Sequence, residues 1–371
     1  MTDDLQPVSP YFMRDPFRDF LNREGVPVYE DMLSADCLTL PLEPWKRMGG
    51  LGAYVHIPGR GDFVTCYIAE IPPGGKLNPE RHVYEEIMFV LSGRGATTIE
   101  LPDGKTSFEW GPGSMFGIPL NLPHQIFNGS GSEPARLIGL TSMPIALNLY
   151  HNEDFVFDNP FWFKDRIGDL KYFKGEGEFR TVFTGRHQWE TNFIPDLATL
   201  DVLQEWSARG AGGKSVMFAI ADSTLHAHVS EFPAGTYKKS HRRPSESGVY
   251  IFCVSGHGYS LLWQEDESPV DTLRVDWKPG TMFCNGAGEH YHQHFNTAKT
   301  PSRYLAMGFG NVRWPVLEYK RATYAGADKS VKDGGRQIEY EDEDPRVLAM
   351  FEQELTRRGI DSKMSQFVSV R

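Results

Sequence analysis

The sequence predicts an all-β protein built from two tandem copies of one short-stranded unit. Two observations carry this. The first is an ordered internal repeat. Glu70-Ile-Pro-Pro-Gly-Gly matches Glu231-Phe-Pro-Ala-Gly, and Phe89-Val-Leu-Ser-Gly-Arg-Gly95 matches Phe252-Cys-Val-Ser-Gly-His-Gly258. Trp110-Gly-Pro-Gly-Ser-Met-Phe116 matches Trp277-Lys-Pro-Gly-Thr-Met-Phe283, and Pro134-Ala-Arg136 matches Pro301-Ser-Arg303. The offset stays between 161 and 168 throughout, which chance matches would not do. The second observation is texture. Short apolar or alternating runs are punctuated by Gly and Pro at close spacing, the pattern of a sandwich or barrel.

The elements follow in order. Asp15 to Gly25 reads as a short helix with an Asp cap, Pro at the first position and a Gly stop. Val64 to Glu70 alternates and runs into a Pro-Pro-Gly-Gly turn, as a strand would. Ile87 to Leu91 is apolar on both faces and so calls for cover on both, from the other unit or from a second copy of the chain. Ala96 to Glu100 is a further strand, closed by a hairpin turn at Pro102-Asp-Gly104. The stretch from about 144 to 215 is a long connection crowded with Phe155, Phe157, Phe161, Trp162, Phe163 and Phe173, an inter-domain core patch or an aromatic lid. Residues 325–342 are polar and acidic and read as a surface loop or arm. Glu343 to Gly359 repeats Val347, Leu348, Phe351 and Leu355 at helical spacing, a helix expected to pack on a barrel or a second subunit. The expected layout is an N-terminal arm (1–45), a first domain (46–150), an aromatic linker (151–212), a second domain (213–315) and a C-terminal arm with its helix (316–371).

A chain of 371 residues suits two domains, each large enough for its own core. A net charge of −11 argues against nucleic-acid binding. The basic run from Lys238-Lys239 through Arg242-Arg243 reads as a local anion-binding wall or a solvated edge. No apolar run approaches a membrane span, and the first 20 residues do not read as a signal peptide. The four cysteines, Cys37, Cys66, Cys253 and Cys284, form no CxxC pair. A cytoplasmic protein with reduced, buried thiols is the expectation.

One cluster carries chemistry. Glu80, His82 and Glu86 share parity, and residues two apart on a strand share a face. His124 would join them from a strand across the barrel. Two buried carboxylates without a cation repel, whereas two carboxylates and two imidazoles balance a divalent ion. This donor set suits Fe(II) or Mn(II) best, with Zn, Ni and Cu also compatible. Tyr84 lies between two ligands on the same face, where its phenol would meet a metal-bound species. Glu85 has the opposite parity and should face out, toward Arg or Lys; a shifted register would make it the ligand instead. Met88, Phe116, Ile118 and Ile126 are interior candidates, as barrel core or as the wall of a small-molecule pocket. Arg94 and Arg136 are candidate carboxylate binders.

These residues resemble the two motifs of the cupin superfamily. Gly74, Glu80, His82, Glu86 and Gly93 fit the first at its spacing, with Glu80 where the family has a leading His, and Pro112, His124 and Asn128 fit the second. Taken over both units, about residues 70–310, the chain resembles a bicupin. The resemblance implies a jelly-roll β-barrel per unit with the metal inside. The Glu-x-His opening is similar to that of ureidoglycine aminohydrolase, a manganese bicupin, whose later ligands do not line up with Glu86 and His124. The scaffold hosts many reactions, so the fold alone does not choose one.

The second copy keeps His241 and His292 at ligand positions but has Arg243 and Val249 where the first has His82 and Glu86. His290, His292 and His294 share parity and could join His241 in a second histidine site; the alternative is a polar interior that uses Arg243 to bind a carboxylate or phosphate. The functional expectation is a metal-dependent enzyme acting on a small organic substrate, foremost an Fe(II) or Mn(II) dioxygenase-like oxidoreductase. A non-redox lyase, isomerase or hydrolase is the alternative, and a non-catalytic binding or storage module is the rival from another class.

Overall fold

The structure is a computed structural model and describes residues 14–242, 248–286, 290–316 and 328–368. It consists of two β-barrels of one topology. In the first, a sheet runs in the order Gly50–Val55, Thr65–Ile71, Ala135–Thr141, Glu86–Ser92, Met115–Ile118. It faces a three-stranded sheet ordered His124–Asn128, Gly95–Leu101, Gly104–Trp110. The second barrel repeats this as Lys214–Ile220, Leu225–Phe232, Ser302–Phe309, Tyr250–Ser255, Thr281–Cys284, facing His241–Arg242, Tyr291–Asn296, Gly258–Trp263, Leu273–Trp277.

The repeat extends to single hydrogen bonds. Trp110 Nε1 donates to Thr97 Oγ1 at 3.0 Å, and Trp277 Nε1 to Ser260 Oγ at 3.0 Å. Gln125 Nε2 donates to Leu77 O at 2.8 Å, and Gln293 Nε2 to Lys238 O at 2.9 Å. The motif glycines Gly93 and Gly256 sit at φ +80° and +79°, a left-handed conformation that side chains disfavour.

Each barrel receives a strand from the segment that precedes the other. Ser34–Asp36 pairs with Thr281–Cys284 of the second barrel. Phe193–Ile194, in the long connection, pairs with Met115–Ile118 of the first. This reciprocal exchange covers what would otherwise be two open sheet edges. Arg136 and Arg303 fasten it. Arg136 donates to Leu38 O at 3.0 Å and to Leu40 O, and Arg303 donates to Leu197 O at 2.7 Å. Arg136 is therefore tied to the N-terminal segment rather than placed in the barrel cavity, and Arg94 is exposed where the chain crosses from one sheet of the first barrel to the other.

Strands apolar on both faces cover each other. Ile87 and Phe89 point into a core shared with Phe252, Met282 and Leu305 of the second barrel, with the Phe89 and Phe252 ring centroids 5.0 Å apart. Met88 and Val90 point into the first barrel, with Phe116, Ile118 and Ile126. All four cysteines are free and buried.

Three helices flank the first barrel: α1 (Pro16–Glu24), α2 (Met143–Tyr150) and α3 (Glu153–Phe157). Asp15 caps α1 by accepting from Arg18 N–H at 3.0 Å, and Gly25 ends it at φ 71°. Helix α4 (Pro345–Arg358) packs Val347, Phe351 and Leu355 against Tyr237, Tyr259 and Phe295 on the outside of the second barrel. No helix among the described residues is long and apolar enough to cross a membrane.

Two sequence expectations change. The aromatics of the connection do not form a patch between the barrels. Phe173 stacks on Phe108 in the first barrel's core, Phe157 lies over Tyr84, and Phe155 and Phe161 are exposed. The polar stretch 325–342 is not a free surface arm over its described part, 328–342. Gln337 is buried and donates to Ala208 O at 2.9 Å, and the Tyr340 hydroxyl donates to Tyr237 O at 2.6 Å. Its polar side chains satisfy buried backbone carbonyls, which the composition alone does not show.

Candidate metal centre

Residues 81–85 are irregular rather than a continuous strand, and Glu86 begins the strand that follows. His124 opens the strand opposite. His82, Glu86 and His124 are 2%, 1% and 4% exposed, and their ligand atoms lie within 4.8 Å of one another. His82 Nε2 stands 3.7 Å from Glu86 Oε2, and His124 Nε2 stands 3.9 Å from it. Among the described residues this is the one group of three or more His, Cys, Asp or Glu that converges so closely.

The donor atoms fit a metal. His82 Nδ1 lies 2.9 Å from Tyr84 O, and His124 Nδ1 lies 3.0 Å from Leu122 O. A carbonyl only accepts, so each Nδ1 carries the proton and each neutral ring presents an Nε2 lone pair. Burial above all pushes the His124 pKa below its ordinary value, which favours that neutral form. Glu86 Oε1 accepts from the Tyr67 hydroxyl at 2.7 Å. His82 Nε2 and Glu86 Oε2 are buried with no hydrogen-bond partner. An orphaned lone pair beside an orphaned carboxylate oxygen is costly in a protein interior, and a divalent cation satisfies both. Burial raises the Glu86 carboxyl, but His82, His124 and Tyr67 together bring it below its usual range, so it is anionic.

Glu80 stands outside this group. Its backbone pairs with His124 in both directions at 2.9 Å, and its carboxylate accepts from Arg47. Arg47 Nε also donates to Glu24 Oε2 at 2.7 Å, and its guanidinium lies over the rings of Phe20, Trp45 and Phe157 at 5.7, 5.2 and 5.5 Å. The four residues expected from spacing are thus present as three converging side chains, with the fourth held by an arginine from the turn before the strand Gly50–Val55. Arg47, Glu24 and Phe157 also line a cleft of about 510 Å³ between α1 and α3.

Tyr84 is buried and stacks flat on His82, with centroids 3.7 Å apart at 1°. Burial and Glu80 push its phenol upward, against Arg47, so it stays protonated. Glu85 faces away from the barrel, as its parity suggests, and pairs with Arg166. Tyr67 and Arg47 are functional candidates that the sequence reading missed. Tyr67 lies on the strand Thr65–Ile71 and Arg47 in the turn before the strand Gly50–Val55, both remote in sequence from the site, and no local spacing marks either.

In the second barrel, His241 pairs across the strand with His292, and their ring centroids are 4.0 Å apart. His294 Nδ1 lies 2.7 Å from Ser260 Oγ, and His292 Nε2 lies 3.1 Å from Asn285 Nδ2. His290 is half-buried on the rim beside Gly286. Val249 is fully buried where Glu86 stands in the first barrel, and Arg243 lies outside the described residues.

The basic run is neither an anion-binding wall nor a solvated edge over its described part. Lys239 pairs with Glu339 and Arg242 with Glu265, while Lys238 is 1% exposed. Lys238 takes the place of Leu77, and its Nζ donates to Ser230 Oγ and, at 3.2 Å, to the Tyr304 hydroxyl. By the same offsets, Ser230 and Tyr304 stand where the first barrel has Ala69 and Leu137. The second barrel has therefore exchanged an apolar floor for a polar one.

Residues 67–141 match the family model of the cupin domain. The chain is 26% identical over 110 residues to auxin-binding protein 4 of Zea mays, covering 27% of this chain and 54% of that protein. It is 29% identical over 87 residues to auxin-binding protein T92 of Nicotiana tabacum, covering 22% and 46%. The chain thus spans about half the length of the curated relatives it matches. Among solved structures, a deletion mutant of Bacillus subtilis oxalate decarboxylase aligns with a TM-score of 0.48 at 15% identity, over 75% of this chain and 77% of that one. The formate complex of Lactobacillus farciminis oxalate decarboxylase aligns with a TM-score of 0.47 at 14% identity, over 76% and 87%. The match to the cupin domain thus lies within the first barrel, and the second barrel repeats that barrel's topology.

Proposed function

We propose that this chain is a metal-dependent enzyme acting on a small organic substrate, with Fe(II) or Mn(II) held by His82, Glu86 and His124. The observation that carries this reading is the pair of buried, unpartnered donors, His82 Nε2 and Glu86 Oε2, beside a second imidazole of the same tautomer. Two histidines and one carboxylate leave coordination positions open, the arrangement that serves non-heme iron oxygenases. The ion, when bound, supplies Lewis acidity and a place for dioxygen and substrate oxygens.

The protein supplies the rest. Backbone carbonyls aim the two imidazoles, and the Tyr67 hydroxyl fixes the rotation of the Glu86 carboxylate. Burial keeps bulk water from the ligands. Tyr84 presents a protonated phenol on the ligand side of the barrel and is assigned here to hydrogen-bond the substrate. Glu80 serves as a fourth ligand when it leaves Arg47.

The test is oxygen consumption by protein reconstituted with Fe(II) or Mn(II), across a panel of small organic acids, phenols and amines. Uptake that requires both metal and substrate supports the oxygenase. Turnover that continues under argon replaces it with a non-redox lyase, isomerase or hydrolase. Ligand binding without turnover under either condition makes the chain a binding or storage module.

A further inference from the structure

Glu85 and Glu86 are neighbours in sequence that face opposite ways, Glu86 into the first barrel and Glu85 toward the second. Glu85 is 6% exposed, and every contact described for its carboxylate lies outside the first barrel. Its Oε2 accepts from Thr224 N–H at 2.9 Å and from the Thr224 hydroxyl, and its Oε1 accepts from Arg166. Arg166 comes from the connection and also donates to Asp222 O at 2.6 Å. Thr224 and Asp222 belong to the turn between the strands Lys214–Ile220 and Leu225–Phe232 of the second barrel.

That turn is a stiff anchor. Ala221 and Asp222 both hold positive φ, 51° and 48°, a conformation that persists only where surrounding contacts over-determine it. Those contacts are present. Ala221 N–H donates to Asn192 Oδ1 at 3.1 Å, Trp314 Nε1 donates to Asp222 Oδ1 at 3.0 Å, and Arg313 pairs with the same oxygen at 3.1 Å. The Glu85 backbone is fixed as well. Its N–H donates to Ser142 Oγ at 2.9 Å, and its carbonyl accepts from Ser142 N–H at 3.0 Å.

Glu86 is the first residue of its strand, paired with Thr141 on one side and Ile118 on the other, and the five residues before it are irregular, so its approach along the chain is set by what holds Glu85. We propose that Glu85 is a positioning residue through which the second barrel fixes the Glu86 carboxylate and so sets the metal affinity of the first. Groups that orient a ligand from behind are worth roughly 10–100-fold in metal affinity. The second barrel, which lacks the Glu86 carboxylate, then has a definite task. The inference rests on the metal reading of His82, Glu86 and His124.

The experiment compares full-length wild type, Glu85→Gln and Thr224→Val by titration with Co(II), following both affinity and the visible ligand-field spectrum. Circular dichroism and urea unfolding of the metal-free proteins check that each variant is folded. The expected result is a roughly 10–100-fold weaker affinity and a shifted Co(II) spectrum in Glu85→Gln. Thr224→Val, which removes one hydroxyl donor and keeps the backbone one, should show a smaller loss of the same sign. Wild type that binds Co(II) alongside a folded Glu85→Gln of equal affinity and spectrum overturns the positioning role alone. Should Glu85→Gln fail to fold, an unchanged affinity and spectrum in Thr224→Val overturns it. Wild type that binds no metal overturns the metal reading, and this inference with it.

Discussion

Tyr67→Phe removes one atom from the site and nothing from its shape. The hydroxyl donates to Glu86 Oε1 at 2.7 Å with both residues buried, and burial beside Glu86 keeps the phenol protonated. The ring keeps its edge contacts with Trp45 and Tyr54 and its place over Gly139, where an added Cβ would come within 2.3 Å of it. What is lost is a hydrogen bond to a charged group, worth about 1.5–3 kcal/mol. Its loss leaves Glu86 Oε1 without this donor beside an Oε2 that already has none. At about 2.1 cal/mol/K of unfolding entropy per residue, 1.5–3 kcal/mol lowers Tm by roughly 2–4 °C if the 371-residue chain melts as a unit. Metal affinity should fall roughly 10–100-fold, because the carboxylate loses its fixed rotation. Urea unfolding in chelator measures the first effect and metal titration the second. A Tyr67→Phe protein unchanged in both would refute the reasoning that this hydroxyl orients the ligand.

The remaining predictions concern the second barrel. Burial pushes the Glu343 carboxyl up to about 7, against hydrogen bonds from Tyr237 and Gln293. With the folded pKa above the unfolded value of about 4.3, its stabilising contribution is complete below that value and fades as pH rises through about 7. Glu343→Gln should remove this slope, so the stability difference between wild type and variant shrinks or reverses from pH 5 to pH 8; parallel curves would contradict it. Burial pushes the Lys238 amine below its ordinary range, against Tyr304, with Arg209 and Arg186 adding to the shift. A lowered lysine pKa makes the folded state bind fewer protons than the unfolded one, so stability rises with pH toward the unfolded value of about 10.4. Lys238→Met, near the Leu77 of the first barrel in shape, should stabilise the protein by about 1–2 kcal/mol at pH 7, with the gain shrinking near pH 10. Urea unfolding across pH checks both, and a destabilised Lys238→Met at pH 7 would contradict the second.

The repeat was legible because its shared residues are turn and packing positions that tolerate few alternatives, such as Gly93 and Gly256 at positive φ. Parity separated Met88, inside the first barrel, from Phe89, which packs on the second, and it turned Glu85 outward toward an arginine. Other features left no local trace. Ser34–Asp36 and Phe193–Ile194 are exchanged strands of three and two residues, too short for any period to mark. Arg47 reaches Glu80 from 33 residues upstream, and only the closed barrel brings them together. Lys238 sat in a run of basic residues that composition assigns to the surface. Its burial depends on Ser230 and Tyr304, which stand opposite each other on two neighbouring strands, and spacing within the run says nothing of them.

The central claim is that the first barrel holds a divalent metal on His82, Glu86 and His124. Elemental analysis of full-length protein, purified without added ions and then reconstituted with Fe(II) or Mn(II), tests it most directly. The account predicts close to one ion per chain in wild type, loss of that ion in His82→Ala and His124→Ala, and retention in His241→Ala. Less than about a tenth of an ion per chain after reconstitution, or loss of the only ion in His241→Ala, would contradict it.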